Sequence, residues 1–247
     1  MPEANFDATA ADYDREAGLQ KEIAARLCQL LDIRPDSPRI LDVGCGTGSL
    51  GEELLRRCPA AHVDLLDASP AMLALAQARL QQVPPEAAPR LFRSVEDVPA
   101  DSRYDLIVSS MALQWFDDLP CTLARLQQQL KAGGQLAFAL PLEGSLAPFI
   151  NAFENCGLVY PGLRYSSAGS ILKLLPPKSR CTSLAWDQDF PDTLSFIRHL
   201  HRLGAVRRDA PPMPSADLRR VCAAGDRLKT AARLPMPWSI GFFQTPV

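Results

Sequence analysis

Residues 39–55 read RILDVGCGTGSLGEELL, and this stretch decides the fold. Residues 39–43 are a short apolar run, the pattern of a buried strand. Gly44, Gly46 and Gly48 close it at alternate positions, and Leu50, Leu54 and Leu55 then share one face of a helix over 49–57. A strand that turns through glycine into a helix is the repeating unit of an open parallel sheet. Glycine lets the chain turn sharply and lets a ligand approach the backbone. In such sheets ligands bind beyond the carboxyl ends of the strands, near the switch point.

The same rhythm continues outward. Strand-like runs recur at 62–66, 90–93, 104–109 and 135–140, with CTSLAW (181–186) and WSIGFFQ (238–244) later. Helical patterns fall at 17–32, 70–82, 118–131, 145–156, 166–175, 192–204 and 215–232, with Gly133 and Gly134 read as the stop after 118–131. The expected class is α/β: a Rossmann-like, mostly parallel seven-stranded sheet with helices on both faces and an inserted helical lid. Three parts are expected: residues 1–142 as the core with an N-terminal helical flap, 143–178 as the lid, and 179–247 as the rest of the core.

Composition narrows the class. The 247 residues are 47% hydrophobic and 22% charged, which excludes disorder, collagen and coiled coil. No apolar run reaches the roughly 18 residues of a membrane helix, and the acidic start carries no export signal. Many of the 22 prolines fall in 84–99, 141–191 and 211–214, read as stiff loops. Seven scattered cysteines, with no CxxC pair, argue against zinc or disulfides and suit the cytoplasm. No metal and no membrane are expected, and the chain is taken as a monomer. The net charge of −2 hides an asymmetry. Residues 173–233 hold 12 basic and 6 acidic side chains, a net of +6, and residues 1–172 hold the other 14 basic and 22 acidic ones, a net of −8. Such a face is either a solvated surface or a dock for an anionic partner. No nucleic-acid motif accompanies it, so nucleic acid is not the expected partner.

The glycine loop needs a ligand. Residues 46–51 match GxGxxG, the dinucleotide fingerprint. Asp42, two residues before the first glycine, counts against it, because a carboxylate there repels phosphate and welcomes a cationic amine. The match also starts two residues too late. Asp67 closes the second strand, where an acid accepts hydrogen bonds from ribose hydroxyls. A phosphate-free nucleoside with an amino-acid tail meets both demands, and S-adenosylmethionine fits that description; a glycine turn needed only for packing is the bland alternative.

ILDVGCGTGSLGEEL (40–54), DLLDASPAMLALA (64–76) and YDLIVSSMALQWFDD (104–118) resemble the motifs of class I S-adenosylmethionine-dependent methyltransferases. FDATAADYDREAGLQKEIAARL (6–27), ALQW (112–115), FIRHLHRLGAVRRD (196–209) and the closing WSIGFFQ are similar to the malonyl-acyl-carrier-protein O-methyltransferase family of biotin synthesis. The resemblance implies methylation of the free carboxyl of malonyl-acyl carrier protein, with S-adenosylhomocysteine as by-product. It assigns the methionine tail to Asp42, Gly44, Cys45, Gly46, Thr47 and Gly48, with Gln20 assisting. Asp67 takes the ribose, and Ala68 and Met72 flank the adenine. Tyr13 stands near the sulfonium. Ser94 occupies the place where such enzymes usually carry an acid for the adenine amine, with the Val95 backbone and Glu96 as substitutes.

A carboxylate is already an anionic nucleophile at neutral pH, so no catalytic triad is expected. Tyr13, Gln114 and Trp115 are the expected catalytic-site residues, and Ser109 lines the pocket wall. Arg164, in PGLRYSS (161–167), is the candidate grip on the substrate carboxylate, with His199 near the pocket mouth. Arg198, Arg202, Arg207 and Arg208 are the candidate dock for an acidic acyl carrier protein. Two other readings stand beside this one: a methyltransferase for another small acid or a quinone-like ring, and a catalytically silent assembly factor that keeps the fold.

Overall fold

The structure is a computed structural model describing residues 6–34, 36–81, 88–206 and 212–247. Helices α1 (Phe6–Glu16) and α2 (Gly18–Leu30) lead into β1 (Arg39–Val43), α3 (Ser49–Arg57), β2 (His62–Leu66), α4 (Pro70–Arg79) and β3 (Leu91–Phe92). Then come β4 (Tyr104–Ser110), α5 (Leu119–Gln128) and β5 (Leu130–Pro141). The remainder is α6 (Ala147–Asn155), α7 (Ala168–Leu172), β6 (Arg180–Phe190), α8 (Thr193–Arg202), α9 (Ser215–Asp226) and β7 (Leu234–Gln244). The seven strands lie in the order β3-β2-β1-β4-β5-β7-β6. β1 to β5 pair in parallel, and β7 runs antiparallel to both β5 and β6. The expected α/β class and the mostly parallel seven-stranded sheet stand. The chain steps outward from β1 to β2 and β3, then returns to the other side with β4, so the switch point lies between β1 and β4.

Alternation along β1 splits the core into two layers. Ile40 joins Ile23, Leu27, Leu54 and Val108 on one face, and Leu41 joins Ile107, Leu123, Leu126 and Phe138 on the other. All of these are fully buried. The first layer runs on to an aromatic cluster in which Phe149 meets Phe153, Tyr160 and Phe196 edge-to-face at 4.9–5.8 Å.

Boundaries differ from the sequence reading in several places. The helix expected over 17–32 is α2, and the N-terminal flap ahead of it is a separate helix, α1, whose bounds the sequence reading did not give. α5 ends at Gln128, not 131, and Gly133–Gly134 serve the strand instead of stopping the helix. The β4–β5 register shifts there, from Tyr104↔Leu130 to Leu106↔Gln135. Gly133 takes φ +75°, and a Cβ on Gly134 would lie 2.9 Å from the Tyr104 carbonyl oxygen, so the bulge requires glycine. α9 stops at Asp226, short of 232. β6 and β7 are each eleven residues, longer than the runs recognised. Pro235 and Pro237 had masked β7. They pair with Asp189 and Asp187 of β6, on a stretch that β5 does not reach, so no neighbour misses their absent N–H groups.

Candidate active site

The carboxyl ends of β1, β2 and β4 open into a cavity of about 290 Å³. Its floor is the glycine loop. The Gly44 and Cys45 amides both donate to the Leu66 carbonyl, at 2.6 and 3.0 Å, and turn the loop across the end of β2. Gly44 sits at φ +69°, and a Cβ there would lie 2.1 Å from the Ala112 Cβ. Gly46 has open space where a Cβ would stand, so the cradle is free for a ligand.

Two carboxylates face each other across this loop. Asp42 is 1% exposed, and neither of its carboxylate oxygens has a hydrogen-bond partner. Burial, and then the Asp67 charge, push its pKa up to about 7. Asp67 accepts the Gly46 amide on Oδ2 and the Ser69 amide on Oδ1, each at 2.9 Å. Burial raises its pKa, and those two bonds oppose the rise. An orphaned buried carboxylate costs free energy unless a cation meets it, which fits a ligand that brings an ammonium group to Asp42. Asp67 keeps lone pairs for further donors.

α1 supplies the other wall, with Phe6, Asp7 and Tyr13. The Thr47 hydroxyl donates to Asp14 at 2.7 Å, and Arg79 bridges Asp14 and Ser49, so α1 is tied to the glycine loop and α4. Burial, followed by the charges of Asp67 and Asp14, raises the Tyr13 pKa and keeps the phenol protonated. Beyond this wall lies a second cavity of about 360 Å³, dominated by Phe149, Tyr160, Tyr165, Leu200 and Trp238. Phe6, Tyr13, Gln20, Met111 and Trp115 line both cavities. The Phe6 ring stands edge-on to Trp115 at 5.6 Å and to Tyr13 at 6.3 Å.

Most expected contacts gather here. Tyr13, Gln20, Asp42, Gly44, Cys45, Gly46, Thr47, Asp67, Ala68 and Met72 line the first cavity, and Gln114 lines the second. Others stand elsewhere. Gly48 lies behind the loop, where a Cβ would lie 3.0 Å from Ala76, so it serves helix packing. Ser109 faces away and donates to the Val43 carbonyl at 2.7 Å; its neighbour Ser110 lines the cavity, with its hydroxyl unpartnered. Ser94 caps a short 3-10 turn with Asp97 instead of reaching the ligand space, and Val95 packs into the core under α5. Arg93, one residue earlier, is the cavity residue and donates to the Ala68 carbonyl at 3.1 Å. Arg164 is outside both cavities, paired with Glu154 at 2.9 Å and lying over the Tyr160 ring. His199 is buried against Glu16 at 2.9 Å, whereas His201 lines the second cavity. Arg198 is exposed, Arg202 pairs with Glu16 at 2.8 Å, and Arg207 and Arg208 lie outside the described residues. Sequence reasoning missed Phe6, Asp7, Arg93 and Ser110. Phe6 and Tyr13 are seven residues apart, two helical turns, and that spacing is the signal that would have paired them.

The Methyltransferase domain family matches residues 41–136. The biotin biosynthesis bifunctional protein BioCD of Bordetella avium is 36% identical over 90% of this chain and 48% of its own length. The malonyl-[acyl-carrier protein] O-methyltransferase of Acetivibrio thermocellus is 38% identical over 69% of this chain and 62% of its own length. The chain thus spans about half of the first relative's length and less than two thirds of the second's. The malonyl-[acyl-carrier protein] O-methyltransferase of Laribacter hongkongensis is 40% identical over 96% of this chain and 85% of its own length. The chain belongs to the malonyl-[acyl-carrier protein] O-methyltransferase family. The fold agrees: phosphoethanolamine N-methyltransferase 2 of Haemonchus contortus superposes with a TM-score of 0.58 at 16% identity, over 98% of this chain and 58% of its own. S-adenosylmethionine is the cofactor of methyltransferases of this fold. The residues of the family member described here fit it: unpartnered Asp42 for the ammonium, open Gly46 for the tail, and Asp67 for the ribose. Among the described residues there is no cluster of metal ligands and no helix long and apolar enough to cross a membrane.

Proposed function

We propose that this chain methylates the free carboxylate of a malonyl group held as a thioester on acyl carrier protein, an early step of biotin synthesis, in the cytoplasm. The observation that carries the reading is the pair of cavities sharing one wall. The polar cavity suits the cofactor. The apolar one, beside it, suits a substrate that must meet the methyl group away from water. Family membership supports the choice of malonyl thioester, and the seven free cysteines suit a reducing compartment.

When bound, the cofactor supplies an electrophilic methyl group on a sulfonium. The chain's own part is binding, orientation and exclusion of water. The substrate carboxylate is already ionised at neutral pH, so no residue has to remove a proton, and the raised pKa of Tyr13 leaves that phenol a hydrogen-bond donor. Phe6, Trp115 and Met111 keep water from the junction of the cavities. Positioning of this kind supplies roughly 7–11 kcal/mol of a barrier. Among the described residues, the second cavity is lined by no lysine or arginine, and His201 is its ionisable base. The carboxylate is therefore oriented by Tyr13, Gln20, Gln114 and His201, and Arg164 is left to the surface. Residues 143–178 act as the lid, since Leu146, Phe149, Tyr160 and Tyr165 from that segment line the second cavity. Arg198 and Arg202 on α8, next to the cavity residues Ile197 and His201, meet the acidic carrier protein.

The test is methyl transfer from labelled cofactor to malonyl-acyl carrier protein and malonyl-coenzyme A side by side, with product masses read out. A gain of one methylene on the malonyl group, faster on the carrier protein, supports the reading. Cofactor binding without transfer to either thioester removes it.

A further inference from the structure

Helix α1 is fastened along its length: at its start the Ser69 hydroxyl and the Ala71 amide donate to Asp7, on the cofactor side. At Asp14 it is held to Thr47 and Arg79, on the cofactor side. Two residues on, Glu16 is held on the opposite side, by α8. Glu16 is only 17% exposed, and its two oxygens face the His199 Nδ1 at 2.9 Å and the Arg202 Nε at 2.8 Å. His199 is buried, its ring 5.2 Å from that of Phe190. Arg202 remains 57% exposed, so one edge of its guanidinium grips Glu16 and the rest faces water. Phe6 and Tyr13, which form the wall common to both cavities, belong to the helix so held. A guanidinium presents five donors and binds carboxylates in competition with one another. A mostly buried carboxylate that loses its cation is left poorly solvated and lets go of its position.

We infer that Glu16 is a positioning residue and a latch: an acidic partner docking on α8 draws Arg202 off Glu16, releases the C-terminal end of α1, and loosens the Phe6–Tyr13 wall so that both cavities open. This rests on the reading that an acidic carrier protein delivers the substrate. It makes arrival of the carrier the event that opens the site, and couples product-cofactor exchange to the docked partner.

The experiment measures the release rate of S-adenosylhomocysteine from the full chain, with and without acyl carrier protein bearing no malonyl group, for the wild type, Glu16→Gln, Arg202→Met and the double variant. Glu16→Gln keeps a hydrogen-bonding amide beside His199, and Arg202 is a surface residue, so the two variants guard each other against a folding artefact. With the latch, the carrier speeds wild-type release about fivefold, the scale of an ion pair partly in water. Glu16→Gln and Arg202→Met release at the faster rate unaided, gain nothing from the carrier, and the double variant is no faster than either. Unchanged release in Glu16→Gln, or equal acceleration by the carrier in all four proteins, overturns the latch. A wild type that methylates carrier-bound malonyl while the carrier leaves its release rate unchanged also overturns the latch and spares the function. If no malonyl thioester is methylated, the function falls, and the carrier-free comparison of Glu16→Gln with the wild type still decides the latch.

Discussion

At the residue scale Asp42 carries the sharpest consequence, because it is a buried carboxylate without a partner. Its pKa, about 7, stands above the ordinary carboxylate value. For the ligand-free chain, its contribution to stability is most favourable below that ordinary value and is lost as pH rises to 7. A bound ammonium reverses the balance by favouring the ionised form. Cofactor affinity therefore rises with pH through about 7, with release of a proton, which titration calorimetry in buffers of different ionisation enthalpy detects. Asp42→Asn removes this pH dependence and weakens binding by roughly ten- to a hundredfold, the worth of a hydrogen bond to a charged group. Gly44→Ala probes the turn instead. Its Cβ would collide with Ala112 at a positive φ, so the melting temperature falls by several degrees, matching a cost of about 1–3 kcal/mol. Gly46→Ala has room for its Cβ, so it loses cofactor affinity out of proportion to stability. Asp42, Asp67 and the glycines were legible because their chemistry is local to one strand end. Ser109 was not: one step along β4 reverses the face, and only the Val43 carbonyl it bonds shows which serine meets the cavity.

At the element scale α1 is the part on which the site depends. Asp14 holds it to the glycine loop, and although burial pushes the Asp14 pKa up, the Thr47 bond with the Arg79 and Lys21 charges outweighs this and holds it below the ordinary range. That tie contributes above the ordinary carboxylate pKa and is lost as pH falls into the acid range. Since Asp14 is 37% exposed, Asp14→Asn costs no more than about 1 kcal/mol of stability by urea unfolding. Its larger effect falls on the Michaelis constant for cofactor, which rises several-fold while the turnover number changes less, because the wall loses its anchor. The core helices and parallel strands were legible from period and glycine punctuation. The β4–β5 bulge was not, since a glycine pair reads equally as the end of a helix. Nor was the full length of β7, since prolines read as breaks until the absence of a neighbour on that side is known.

At the scale of the whole molecule the charge asymmetry and the cavities meet on α8. Arg198→Glu, which leaves the Glu16–Arg202 pair intact, should raise the Michaelis constant for the carrier-bound substrate severalfold and leave that for the coenzyme A thioester near its original value, with the difference shrinking in high salt. Steady-state kinetics at two ionic strengths checks it. The sequence by itself determined the sheet, the glycine loop, the two acids and the family, because each is written in consecutive residues whose backbone and charge act locally. The tertiary structure decided the second cavity, whose walls come from residues as distant as Phe6 and Trp238. It also turned Arg164 toward Glu154 and His199 toward Glu16. A long charged side chain goes where packing brings a counter-charge, and that partner exists only once the elements have come together.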